Sequence, residues 1–170
     1  MRTRILLAAV GALSLSGPAF GAGSKSTTFT VSSDVVANCT IAAADLSFGN
    51  YDPVVANKTT ALDVNTTVTV LCTKGAAGVN VGLDTGSHAS AGSRFMSDTV
   101  SGDTLQYELY SDSPGGTVWT NSGGGLVSWA TFGPIGAGAG VAKTIHGRIP
   151  PGQDKSVGHY ADVVTATVNF

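Results

Sequence analysis

The sequence predicts an all-β antiparallel sandwich, and three observations carry that expectation. Thr (20), Val (19) and Gly (23) dominate while Glu108 is the single glutamate, so strand and turn formers outweigh strong helix formers. Apolar residues alternate with polar ones along several stretches, most clearly from Leu62 to Cys72 and from Tyr160 to Phe170. Clusters of Gly, Ser, Asn and Pro separate these stretches as turns do. With 170 residues, the chain is long enough for one ordinary domain after loss of any targeting segment.

The first stretch is expected to be such a segment. Arg2 and Arg4 precede an apolar run from Ile5 to Leu15, and Gly17 and Pro18 break it before the small residues Ala19, Gly21 and Ala22. This is the layout of a secretory signal peptide, residues 1–21, cleaved after Gly21. The run is about eleven residues, too short for the roughly 20 that a spanning helix requires, and no segment of the mature chain is expected to cross a bilayer.

Beyond it, Phe29, Val31, Ser33 and Val35 share one face of a strand, with Thr28, Thr30, Ser32 and Asp34 on the other. A second strand runs through Cys39 and Ile41 towards Leu46 and Phe48, ahead of the turn residues Gly49, Asn50, Asp52 and Pro53. In Leu62–Cys72, Leu62, Val64, Thr66, Val68, Val70 and Cys72 oppose Asp63, Asn65, Thr67 and Thr69. Shorter strands are expected at Val79–Leu83 and Leu105–Leu109, with Gly86–Gly92 as loop. Ser111–Gly125 reads as a long connection or a hairpin around Trp119, and Gly136–Gly140 as a mobile loop. Val141, Lys143, Ile145, Gly147 and Ile149 form one face of the next strand, ended by Pro150 and Pro151, and Tyr160–Phe170 is the last. Six or seven such strands fit an immunoglobulin-like sandwich.

Charge and cysteine usage narrow the function. Charged residues make up 12% of the chain, and loss of Arg2 and Arg4 leaves seven basic against eleven acidic side chains, a formal charge of −4. Nothing there attracts a phosphate backbone, so no nucleic-acid partner is expected. The two cysteines, Cys39 and Cys72, both follow the signal, and an oxidising compartment favours a bridge between them over two free thiols. Closing a loop of about 34 residues would stabilise the fold by roughly 3.8 kcal/mol on the chain-entropy model.

No enzymatic activity is expected. The chain lacks G-x-S-x-G, H-E-x-x-H, G-x-x-x-x-G-K-[ST] and an EF-hand loop. His88, His146 and His159 are scattered and do not complete a zinc set with two cysteines, so neither metal nor cofactor is expected. Asp84, Asp98, Asp103 and Asp112 can serve as an acid pair or calcium site, or simply as turn residues. Trp119 and Trp129 can stack on a sugar or plug the core. Asn38, Asn57 and Asn65 head glycosylation sequons that matter only in a host with that machinery.

A series of short motifs resembles the spore coat protein U domain family: Cys39 followed by Ile41; Phe48-Gly49-x-Tyr51-Asp52; Cys72-Thr73; Arg94-x-Met96; Leu105-x-Tyr107-x-Leu109-Tyr110; Gly147-Arg148-Ile149; Gly158-x-Tyr160-x-Asp162; and Val168-Asn169-Phe170. The resemblance spans nearly all of the mature chain. That family includes subunits of archaic, Csu-type chaperone-usher pili, surface fibres of Gram-negative bacteria used in adhesion and biofilm formation.

The resemblance implies an incomplete immunoglobulin-like antiparallel β-sandwich completed by donor-strand exchange. Residues 22–38 would be the N-terminal donor-strand extension and 39–170 the pilin domain. Phe29, Val31, Ser33 and Val35 would be donor knobs, and Val164, Ala166, Val168 and Phe170 the acceptor strand, first held by a periplasmic chaperone and then passed on by an outer-membrane usher. The residues supply these parts independently: the last strand's apolar face continues to Phe170, and a separate strand precedes Cys39. Head-to-tail pairing of that kind does not close and gives a polymer. Cleavage leaves 149 residues, enough for one sandwich and therefore for a stalk or adaptor subunit. Three alternatives remain at this stage: Phe29–Val35 folds back as the chain's own first strand, the protein is a secreted coat or envelope component that forms no fibre, or the sandwich binds glycans.

Overall fold

The computed structural model describes residues 21–129 and 140–170. Residues 1–20 of the expected signal peptide 1–21, and residues 136–139 of the glycine-rich run, lie outside the described residues. The chain divides into two units, Met1–Asp34 and Val35–Phe170. In the first, residues 21–34 form no strand and are exposed.

The second unit is all-β and antiparallel. Its strands are β1 (Cys39–Ala43), β2 (Leu62–Cys72), β3 (Asn80–Leu83), β4 (Arg94–Asp98), β5 (Thr104–Tyr110), β6 (Val127–Ser128), β7 (Val141–Ile149), β8 (Tyr160–Ala161) and β9 (Ala166–Asn169). They form a six-stranded sheet, β1-β2-β7-β5-β4-β8, and a three-stranded sheet, β6-β3-β9. The alternation read in Leu62–Cys72 governs the large sheet. Val68, Val70 and Cys72 are buried on its inner face, while Asp63, Asn65 and Thr67 point outward. β2 is fixed on both flanks, by β1 through Cys39↔Cys72 and by β7 through Leu62↔Ile149.

The core combines Val68, Val70, Val79, Val81, Leu83, Leu105, Ile145 and Ile149 with both tryptophans. Trp119 and Trp129 are 0% and 3% exposed, with ring centroids 6.1 Å apart. Their indole N–H groups donate to Val81 O at 2.9 Å and Val141 O at 3.2 Å. A ring enclosed in this way has no face for a sugar, so the two tryptophans are core plugs and the glycan reading loses its residues. Gly147 marks another packing requirement: a Cβ there would lie 2.7 Å from Leu46 Cδ1 and 2.9 Å from Phe48 Cζ. The bare strand admits both side chains, and Phe48 reaches Tyr107 edge-on, at 6.2 Å between centroids.

Four expectations change. Phe29–Val35 forms no strand, because alternation identifies a face but a strand also requires a hydrogen-bonded neighbour. The segment around Leu46 and Phe48 is likewise outside β1, which ends at Ala43. Arg94–Asp98 is a strand not foreseen, because its inward positions are Arg94, Met96 and Asp98. Tyr160–Phe170 is two strands in different sheets: β8 pairs with β4 and β9 with β3.

Where β7 ends, a side chain replaces the missing ladder. The β5–β7 register, Glu108↔Arg148, would next place Gln106 against Pro150, which has no N–H. The Gln153 amide satisfies Gln106 instead, accepting from its N–H at 2.8 Å and donating to its carbonyl at 2.9 Å.

Candidate functional site

Among the described residues β1 and β8 are the edge strands of the large sheet and β6 and β9 those of the small one, and two of these four, β1 and β9, lie side by side. β9 ends the small sheet and has only β3 beside it, and β1 ends the large sheet with only β2 beside it. β1 and β9 approach each other without forming a ladder. Along this seam, Val164, Ala166 and Val168 alternate with exposed Val163, Thr165 and Thr167, and all three pack against the core while remaining half-exposed. Cys39 and Ile41 do the same on β1. A fully covered valine contributes about 1.5–3 kcal/mol through burial, and these side chains realise only part of it. The seam is therefore an apolar strip with an unpaired backbone edge, which an added strand would complete.

The rim at β1 is pinned covalently. Cys39 and Cys72 form a disulfide between directly opposed residues whose Cα atoms are 4.0 Å apart. Asn38 continues the pairing outward, accepting from the Thr73 N–H at 2.8 Å.

The predicted acceptor residues are placed as follows. Ala166 and Val168 lie on β9, Val164 just before it, and Phe170 just after it with 55% exposure. The predicted donor residues are all exposed: Phe29 84%, Val31 82% and Val35 84%, with Ser33 open to solvent as well.

The aspartates are turn and loop fasteners. Asp98 is buried and accepts from both the N–H and the hydroxyl of Ser101, which hold its carboxyl below the usual range. Asp112 caps its turn through Thr117 and Ser113. Among the described residues no group of His, Cys, Asp or Glu is arranged to hold a metal ion. The shallow concavity at Pro53, Val54, Lys58, Gly152 and Asp154 shares no residue with the open seam. Asn57 is buried and committed to Asp52 and Thr60. No helix among the described residues is long and apolar enough to cross a membrane.

Two polar residues inside the sandwich carried no role in the sequence reading. Arg94 is 1% exposed, and its guanidinium donates to the carbonyls of Leu83, Asp84 and Trp119 and pairs with Glu108. Asp162 has the inward parity of Val164 and Ala166, and its side chain is 2% exposed. Burial, then the hydrogen bond to Asp162, pushes the Tyr107 phenol well above its ordinary value. Both residues fall inside quoted motifs, but motif membership does not say what a side chain touches.

Comparisons with known proteins agree with this architecture. The family model of the Spore Coat Protein U domain matches residues 25–167. "Protein U" of Myxococcus xanthus is 35% identical over 133 residues, covering 74% of this chain and 71% of that protein. Among solved structures, the CsuC-CsuE chaperone-tip adhesion subunit pre-assembly complex, from archaic chaperone-usher Csu pili of Acinetobacter baumannii, contains a chain of like fold. The TM-score is 0.55 at 24% identity over 80% of this chain, which spans 40% of the solved one. At that identity the likeness speaks for the fold. The sequence matches speak for the family, and this chain belongs to the spore coat protein U domain family.

Proposed function

We propose that this chain is a structural subunit of a surface pilus whose copies join head to tail by donor-strand complementation. The extension 22–38 of one copy lies along the open seam of another. Phe29, Val31, Ser33 and Val35 face the strip formed by Val164, Ala166, Val168 and Phe170. The observation that carries this reading is the unpaired edge of β9, with its half-covered apolar residues, in a chain that also displays an exposed, alternating apolar arm. A strand added there gains main-chain hydrogen bonds from the edge and specificity from alternate side chains.

Before assembly the same edge is an aggregation hazard. A periplasmic chaperone would cover it and an outer-membrane usher would exchange the chaperone for the next subunit's arm. The solved complex that contains a chain of like fold pairs a chaperone with a pilus subunit before assembly, which supports that route. Export through the periplasm to the cell surface, and a role in adhesion and biofilm formation, follow from the same reading. The family's description favours a second one, a secreted coat or envelope component that forms no fibres.

A synthetic peptide of residues 27–38 separates the two. It is expected to bind the full chain at a stoichiometry of about one, with micromolar affinity or better, roughly −8 kcal/mol. A peptide in which Phe29, Val31 and Val35 are replaced by Ser is expected not to bind. Equal behaviour of the two peptides in calorimetry would favour the coat-protein reading.

A further inference from the structure

Asp162 is an anomaly in the last segment: a buried carboxylate in an otherwise apolar series of inward positions. It lies where the chain leaves β8 in the large sheet and enters β9 in the small one. Its Oδ1 accepts the N–H of Ser87 at 2.9 Å and of His88 at 3.1 Å, with His88 Nδ1 at 2.9 Å, and its Oδ2 accepts the Tyr107 hydroxyl at 2.7 Å.

The opposite chain answers with a carboxylate of its own. Asp84 Oδ1 accepts the Thr165 N–H at 2.9 Å and the Gly86 N–H at 3.0 Å. Backbone bonds from Asp84 N to Thr165 O, 3.0 Å, and from Ser87 N to Val163 O, 3.1 Å, lie between them. Gly86 completes the fit: its φ is +83°, and a Cβ there would fall 1.9 Å from Asp162 Oδ2.

We propose that Asp162, opposed by Asp84, is a register clamp. It fixes the point at which the chain changes sheets and so decides which face of β9 looks inward. A slip of one residue would turn Val164, Ala166 and Val168 outward and remove the apolar strip. Asp162 is thus a positioning residue for the acceptor edge without lining it. The clamp itself is a property of the folded domain; its consequence for donor capture rests on the donor-strand reading above.

Hydrogen exchange on the full chain reads the clamp without a donor. In Asp162→Ala the amides of β9 that are bonded to β3 are expected to exchange about tenfold faster or more, while those of Val68, Val70 and Ile145 change by no more than about twofold. Asp162→Asn keeps an acceptor oxygen and is expected to restore most of the protection. Gly86→Ala, which displaces the carboxylate without removing it, is expected to repeat the local signature should Asp162→Ala not fold. Uniform acceleration over all strands, or none at β9, in the variants that fold would overturn the clamp.

Binding of the 27–38 peptide then tests the consequence, with an expected loss of about tenfold in Asp162→Ala and at most about threefold in Asp162→Asn. Peptide binding by wild type and Asp162→Ala alike would refute the clamp's part in capture and leave the donor-strand reading standing. No binding even by wild type would refute the donor-strand reading, while the exchange pattern still decides the clamp.

Discussion

Val31→Asp is expected to leave the sandwich folded and to stop chain-to-chain assembly. Val31 is 82% exposed and lies within residues 21–34, which form no strand, so the substitution removes almost no buried surface. In the seam of another copy, however, the carboxylate would be forced against Val164, Ala166 or Val168 and lose its water. An uncompensated polar group in such a place costs about 4 kcal/mol, roughly a thousandfold in association. Thr30→Asp, on the opposite face of the arm, is the control and is expected to assemble normally. Sedimentation and negative-stain microscopy read both outcomes. Filaments of ordinary length from Val31→Asp would mean that this face of the arm does not enter a groove.

Arg94→Ala is expected to be the most damaging single substitution within the sandwich. The guanidinium joins β4 to the carbonyls of Leu83, Asp84 and Trp119 and to Glu108 on β5. Its removal leaves buried acceptors without donors and Glu108 without its counter-charge. Breaking a buried pair in this way costs about 3–5 kcal/mol, a large fraction of the roughly 5–15 kcal/mol that holds a domain together. Lysine is expected to rescue little, because a compact ammonium cannot replace a planar fork that serves several acceptors at once. Urea unfolding followed by tryptophan fluorescence measures the effect through Trp119 and Trp129. A loss below about 1 kcal/mol would show that the acceptors find other partners.

These two substitutions also mark where the sequence was legible and where it was not. The alternation in Leu62–Cys72 and Val141–Ile149 named the inward residues of β2 and β7 correctly, because both strands lie inside the large sheet with one apolar face. Export chemistry named the partners of the disulfide, and pairing across β1 and β2 supplies the geometry. β4 was invisible because two of its three inward residues are Arg94 and Asp98, whose burial depends on partners distant in sequence. The sheet change between β8 and β9 was invisible for a different reason. It leaves the parity of Tyr160–Val168 unbroken, so no local pattern betrays that the neighbour has changed from β4 to β3. The arm at Phe29–Val35 shows the limit of periodicity most plainly: alternation says which side chains travel together but not which molecule receives them.

That last point is settled by a reconstruction of the assembled polymer by electron cryomicroscopy at a resolution that traces the backbone. Residues 29–35 are expected to lie hydrogen-bonded along β9 of a different molecule from the one to which they are covalently joined, with Phe29, Val31 and Val35 turned towards Val164, Ala166 and Val168. An arm that pairs with β9 of its own molecule, or a preparation that yields only compact monomers under all assembly conditions, would contradict the donor-strand reading.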